Sequence, residues 1–347
     1  MSSIEQPPYD ALLFVSFGGP ERTEDVLPFL ENVTRGRNIP RERLLEVAEH
    51  YYHFGGASPI NAQNRSLISE LERQFALSGL RLPIYFGNRN WDPYLNDAVR
   101  QMAADGVRRA LAFCTSAYSS YSGCRQYREN IAAALAELQS KAPELQPLTI
   151  DKLRVFFNHP LFIDATAERV GEAISKLPKE GQGGATVIFT AHSIPASMAG
   201  NCRYEAQLNS TAALVAERLP GHAWQMAYQS RSGPPSQPWL GPDICDALRS
   251  FAATGQKQVV IAPIGFLSDH LEVLYDLDVE ALAVADELGM TMARAATVGT
   301  HPKFVAMIQE LIQERIDPNQ PRRAIGSFGP IVDVCPVDCC LAGGRPT

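Results

Sequence analysis

GATVIFTAHS (184–193) decides the fold. Its apolar core is too short for a covering helix, and glycines before it and Ser-Ile-Pro after it mark its ends, so it reads as a strand buried on both faces. The first half of the chain holds three runs of the same form, ALLFVSF (11–17), LPIYFGN (82–88) and RRALAFCTS (108–116). WQMAYQS (224–230) and QVVIAPIGF (258–266) continue the pattern in the second half, with Ala-rich and Leu-rich helical stretches between the runs. Strands alternating with helices predict parallel sheets covered on both faces. The expected fold class is therefore α/β, with two Rossmann-like, doubly wound parallel-sheet domains of similar topology. The first spans 1–155 and the second 156–320, the helical pattern breaking at LQPLTIDKLRVFFNHP. At 347 residues the chain has the length of two such units. Residues 321–347, rich in Pro, Gly and Cys, form an irregular tail that needs something other than a core to order it.

Composition removes several function classes. With 31 basic against 38 acidic residues, a net charge of −7 offers no electrostatic footprint for nucleic acid or for an anionic membrane surface. No apolar run approaches the roughly 18 residues that span a bilayer, so no integral membrane association is expected. MSSIEQPPYD lacks the basic start of a signal peptide, which predicts a cytoplasmic protein. Seven cysteines, an odd number, argue against a disulfide framework. Neither GxGxxG after the first run nor GxxxxGK[ST] supplies a phosphate cradle, and GxSxG, CxxC and HExxH are absent.

In parallel sheets ligands bind beyond the carboxyl ends of the strands. There the sequence places Phe17-Gly18-Gly19-Pro20, Asn88-Arg89-Asn90-Trp91, Tyr118 to Tyr121, His192-Ser193-Ile194-Pro195, Gln229 to Gly233, and Gly265 to His270. The glycines serve equally well as plain turns. His192, at the end of an apolar strand, is placed to ligate a metal or to titrate near neutral pH. In SDHLEVLYDLDVEAL, Glu272, Asp276 and Glu280 fall at i, i+4 and i+8 on one helical face, where like charges repel and a divalent cation would relieve them. A solvated acidic face is the plainer alternative, since Asp269 and Asp278 make the whole segment acidic. Imidazole and carboxylate donors suit a harder divalent ion such as Fe(II).

VSFGGP (15–20), TRGR (34–37), HFGGASPIN (53–61), GNRNWDPY (87–94), AYSSYSGCRQY (117–127), FTAHSIP (189–195), YQSRSGPPSQPWLGPD (228–243) and PIGFLSDHLEVLYDLD (263–278) together resemble the ferrochelatases, specifically the bacterial coproporphyrin ferrochelatases, over about residues 9 to 315. The resemblance implies two Rossmann-like domains with a porphyrin between them. It implies insertion of Fe(II), the metal being a substrate, into coproporphyrin III in heme biosynthesis. His192 would be iron ligand and proton acceptor, Glu272 the second iron-site residue, and Asp276 and Glu280 an acidic path for incoming metal. Ser58 and Tyr127 would hold propionates, with Tyr51, Arg35 and Arg37 as further donors. Protoporphyrin IX as substrate, or a carrier of tetrapyrrole or iron without turnover, are the alternative readings. Transient contact with adjacent heme-pathway enzymes fits the same resemblance.

This chain departs from the family pattern in places. Phe17 stands where some relatives carry a metal-ligating tyrosine, and Thr34 and His50 replace arginines. Some ferrochelatases hold a [2Fe-2S] cluster on C-terminal cysteines and one from mid-chain. Cys335, Cys339 and Cys340 resemble the C-terminal set. Four thiolates are needed, and no cysteine lies at 160–170, with Cys124 and Cys202 the nearest substitutes. Adjacent Cys339 and Cys340 would also have to turn to one side, so ligand count weighs against a cluster. Cys114 and Cys245 read as buried core thiols.

Overall fold

The computed structural model describes residues 8–36, 39–234 and 236–343. β1 (Ala11–Ser16), β2 (Ile84–Asn88), β3 (Arg109–Cys114) and β4 (Thr149–Lys152) form one sheet in the order β2-β1-β3-β4. β5 (Thr186–His192), β6 (Trp224–Gln229), β7 (Gln258–Ala262) and β8 (Thr291–Arg294) form the other in the order β6-β5-β7-β8. Every pairing is parallel and the two orders are equivalent. Helices on both faces bury β1 completely from Ala11 to Val15, and each large apolar side chain so removed from water contributes about 1.5–3 kcal/mol. β4 (TIDK) and β8 (TMAR) lack the apolar run that announces the other six, because each is a four-residue edge strand, half exposed.

The two sheets share one contiguous core, in which Phe14 and Phe113 of the first meet the same cluster as Val187 and Phe189 of the second. Their carboxyl edges are tied by polar bridges. The Tyr118 hydroxyl donates to the Ile264 carbonyl at 3.0 Å, the Ser268 hydroxyl to Asn64 Oδ1 at 3.3 Å, and the Asp269 amide to Gln63 Oε1 at 2.8 Å. Among the described residues no helix is long and apolar enough to cross a membrane.

Two helices cross between the units. Helix Pro160–Ile174 follows the first sheet but packs on β7 and β8, whereas helix Pro302–Ile316 follows the second and packs on helix Ile60–Ser78 of the first; the two also pack on each other. Each begins His-Pro, with proline at its first turn and imidazole Nδ1 accepting from the backbone two residues on, His159 from Leu161 and His301 from Lys303. Each Nε2 faces a carboxylate of the other helix, His159 to Glu310 at 3.2 Å and His301 to Glu168 at 3.0 Å. A cap that accepts at Nδ1 needs the neutral ring, with the proton on Nε2. Burial, helped by Arg154 and Arg323, holds His159 down to about 3. Burial and Arg169 likewise lower His301 against the pull of Glu168 and Glu172.

Both folded pKa values lie below the unfolded value near 6.5, so their stabilisation is complete above that pH and is lost on acidification toward the folded values. The midpoint of thermal unfolding should fall by about 2–3 °C between pH 7 and pH 5 from His159 alone. His159→Asn keeps a capping acceptor without the titration, and differential scanning calorimetry should show a shallower acid slope for it; an unchanged slope would remove His159 from the account.

Candidate functional site

β5 pairs with β6 through His192 opposite Gln229, so the imidazole emerges at the carboxyl edge of the second sheet. Nδ1 is hydrogen-bonded to the Ser193 carbonyl, and because a carbonyl only accepts, Nδ1 carries a proton. In the neutral ring Nε2 therefore presents its lone pair, 3.6 Å from Glu272 Oε2. The two side chains remain 37% and 44% exposed, open to a ligand although protein surrounds them. Burial disfavours the imidazolium, but the Glu272 carboxylate outweighs it, with the Ser193 carbonyl and Asp276, and raises His192. Burial would push Glu272 up; the facing His192 and the charges of His270 and His50 instead bring it down to about 2.

The acidic segment is not one regular α-helix. Leu271–Leu274 is α-helical, Tyr275–Ala281 winds as a π-helix and Leu282–Glu287 returns to α. Its carboxylates up to Glu280, with Asp269 just before it, divide into two groups. Arg294, at the end of β8, pairs with Asp278 at 2.6 Å and Asp269 at 3.1 Å. Glu272, Asp276 and Glu280 have no Lys or Arg partner among the described residues. Asp276 accepts from Gln229 Nε2 at 3.2 Å and from the Ser230 hydroxyl, Ser230 having φ +60°. Burial, with Glu272 and Glu280 nearby and despite the Ser230 bond, pushes Asp276 up to about 7. Burial also raises Glu280, against the charge of His50. The π-helix docks on helix Arg41–His53, where His50 stacks on Tyr275 with ring centres 3.8 Å apart and planes 7° from parallel.

The first sheet contributes the other side. Ser58 is nearly buried, its amide bonded to the Pro20 carbonyl, and its hydroxyl has no hydrogen-bond partner among the described residues. Tyr51 lies in the cluster that joins Phe29 to Leu271, and burial together with the charge of Glu272 raises its phenol well above the usual range. Tyr127 is only 4% exposed, packed among Leu13, Cys114 and Ile131. Its ring is covered by Arg89, whose guanidinium lies 4.7 Å from the ring centre and 5.7 Å from that of Phe17. The cation, not the buried phenol, is thus the exposed group at that point. Arg89 occupies a strand end visible in the sequence, but its stacking between Phe17 and Tyr127 appears only in the structure. Arg35 is exposed on the turn after helix Val26–Val33, its charge acting on Tyr94. Arg37 lies outside the described residues.

The thiols form a second locus. The Cys339 and Cys340 Sγ atoms are 3.4 Å apart, and Cys335 lies close enough to Cys124 and Cys339 for their thiols to act on one another. Cys340 has φ +57°, a left-handed turn that brings both adjacent side chains to one side. The Cys335 contact lowers Cys124 to about 5, against burial, with Lys152 and Arg128 assisting. Cys114 is buried, while Cys245 is only half-buried rather than the core thiol expected. Among the described residues no three His, Cys, Asp or Glu side chains are grouped to hold a single metal ion.

The ferrochelatase family profile matches residues 9–316. A protein of Rhodopirellula baltica named ferrochelatase is 55% identical, over 99% of this chain and 98% of its own length. A coproporphyrin III ferrochelatase of Streptomyces coelicolor is 51% identical, over 98% of this chain and 95% of its own. Among solved structures, SirB from Bacillus subtilis with Fe3+ shares the fold at a TM-score of 0.55 and 10% identity, over 90% of this chain and 98% of that one. With these sequences matched over almost their whole lengths, the chain belongs to the ferrochelatase family, enzymes that insert iron into a porphyrin.

Proposed function

We propose that this protein inserts ferrous iron into coproporphyrin III in the cytoplasm, with His192 and Glu272 as the residues at the reacting centre. The observation that carries the reading is His192 Nε2 facing Glu272 at 3.6 Å, both open to a ligand at the carboxyl edge of the second sheet. Metallation exchanges two pyrrole N–H protons for one Fe2+, so the site needs a base at the ring nitrogens and a donor that delivers the ion. His192 fits the first role, since Ser193 fixes the proton on Nδ1 and leaves Nε2 to accept one. Glu272, held ionised, fits the second and stabilises the imidazolium that results. Asp276, with its carboxyl near neutrality, can carry a proton away as readily as it can pass a cation along the stripe to Glu272.

Coproporphyrin III, with four propionates, is favoured over protoporphyrin IX, with two, because the Streptomyces relative bears that name and because Arg89 and the free Ser58 hydroxyl offer carboxylate partners on the first-sheet side. Tyr51 and Arg35 stand as supplementary donors. Tyr127 acts through Arg89.

The thiol row also fits a [2Fe-2S] cluster, which takes two thiolates per iron and not three donors on one ion. Cys339 and Cys340 form one close pair, Cys335 is near enough to act on Cys124, and Lys152 and Arg128 offset the negative charge of Cys124. These four residues would hold the cluster, Cys124 replacing the mid-chain ligand that is missing at 160–170. When bound, it would supply a redox-sensitive cross-link between the tail and the first domain.

Anaerobic assays with both porphyrins should show faster metallation of coproporphyrin III, and His192→Ala should lower kcat by about 10²- to 10⁴-fold. Equal rates with the two porphyrins would withdraw the substrate assignment, and full activity of His192→Ala the mechanism. In Glu272→Gln the imidazole loses its charged partner, so NMR titration should find His192 at a lower pKa than in the wild type. For the cluster, anaerobically purified protein should contain acid-labile sulfide that disappears in Cys124→Ser; sulfide absent from the wild type would end that assignment.

A further inference from the structure

The tail is held on the first domain through backbone carbonyls. Arg125 Nη1 donates to the carbonyls of Val337 at 2.7 Å and Cys339 at 3.0 Å, and Arg128 Nη1 donates to that of Cys335 at 3.4 Å. Arg125 ends a five-residue π-helical turn, Tyr121–Arg125, that runs directly into helix Gln126–Lys141. The opposite side of this short segment supports Arg89. Ser122 offers its carbonyl to Arg89 Nη1 at 3.3 Å, Asn130 offers Oδ1 to Arg89 Nε at 2.7 Å, and Tyr127 lies beneath the guanidinium. No hydrogen bond occupies Arg89 Nη2 among the described residues, so that end of the fork is available for a carboxylate.

The turn has little slack between its two loads. A Cβ at Gly123 would come within 2.6 Å of Ser116 Oγ, and the Ser120 hydroxyl caps the turn by accepting from the Gly123 amide at 2.8 Å. Arg125 is fixed in turn by Glu129, which accepts from Nε at 2.7 Å. The tail contacts and the Arg89 contacts thus sit on one short, tightly packed segment.

We propose that Arg125 is a positioning residue for the porphyrin: by strapping the tail to the π-turn it holds Arg89 in register for a macrocycle carboxylate. The strap sets porphyrin affinity and leaves iron handling, on the other sheet, untouched. The inference rests on the porphyrin-metallating function proposed above.

The test uses the full chain and compares wild type with Arg125→Ala, Arg125→Lys and Arg128→Ala. Porphyrin fluorescence titration gives the Kd for coproporphyrin III, and anaerobic steady-state assays give kcat and KM for each substrate. Arg125→Ala removes two charge-assisted hydrogen bonds to the tail together with the Glu129 ion pair and should raise the porphyrin Kd and KM about tenfold, with kcat and the KM for iron within about twofold of wild type. Arg125→Lys, which retains a donor, should recover part of the affinity. Arg128→Ala loses one longer bond and should shift Kd in the same direction by less, which keeps the proposal testable should Arg125→Ala fail to fold. An unchanged Kd in both alanine variants, or a fall in kcat with Kd unaltered, would overturn the proposal while leaving the functional reading intact. A wild type that binds no coproporphyrin III would overturn both.

Discussion

A parallel sheet brings every strand's carboxyl end to the same edge, and this chain imposes that constraint twice, with equivalent strand orders. The site follows from it. Ser16, Asn88, Cys114, His192, Gln229 and Ala262 close their strands, and the polar bridges from Tyr118, Asn64 and Gln63 to the 264–269 loop hold the two edges together. Residues far apart in sequence, such as Tyr51 and Glu272, are thereby brought within electrostatic reach of each other. The crossing helices strengthen the arrangement, because each follows one sheet in sequence but packs against elements of the other unit.

Within that frame, Arg294 determines which carboxylates remain available. Its guanidinium, 17% exposed, engages Asp269 and Asp278. Without it those two charges would add to the repulsion along the segment and compete for any cation arriving there. With it, the carboxylates left uncompensated beside His192 are Glu272, Asp276 and Glu280. The π-helical winding at Tyr275–Ala281 lies in the middle of that stripe, as π-turns often do at functional sites. Protein side chains at i, i+4 and i+8 would share one face of an α-helix; here the wider winding displaces Asp276 and Glu280 around the axis, and Asp276 is met by Ser230 and Gln229.

Six strands were legible because burial on both faces demands an unbroken apolar run. β4 and β8 were not, since an edge strand of four residues is specified by its neighbour's hydrogen bonds and not by its own hydropathy. The two candidates that the structure brings to 3.6 Å were visible for different reasons, His192 as a polar residue ending an apolar run and Glu272 by its spacing from Asp276 and Glu280. Arg294 gave no such sign, because its partners lie 16 and 25 residues earlier and only the β7–β8 pairing brings it to them. The π-winding was equally hidden, as its carboxylate spacing is what a plain α-helix would show. The contact of Cys124 with Cys335 depends on where the tail comes to rest, which no local pattern encodes. That tail has almost no core of its own: Val334 and Val337 are exposed, and Arg154, Asn158, Arg125 and Arg128 anchor it through its carbonyls.

The net charge of −7 at first argues against the proposed substrate, which carries four carboxylates. The distribution of charge resolves the conflict. Cationic and hydroxyl donors, Arg89 and Ser58, belong to the first-sheet side, and the uncompensated carboxylates belong to the acidic segment that follows β7 in the second. The proposed function assigns the propionates to Arg89 and the metal to Glu272, on different units of the chain, so anion and cation need not share one field. At a physiological Debye length of about 8 Å each substrate senses chiefly the charges within its own approach. Overall acidity is then compatible with an anionic macrocycle, because the same excess of carboxylates that would repel it in bulk is held on the side that serves the metal.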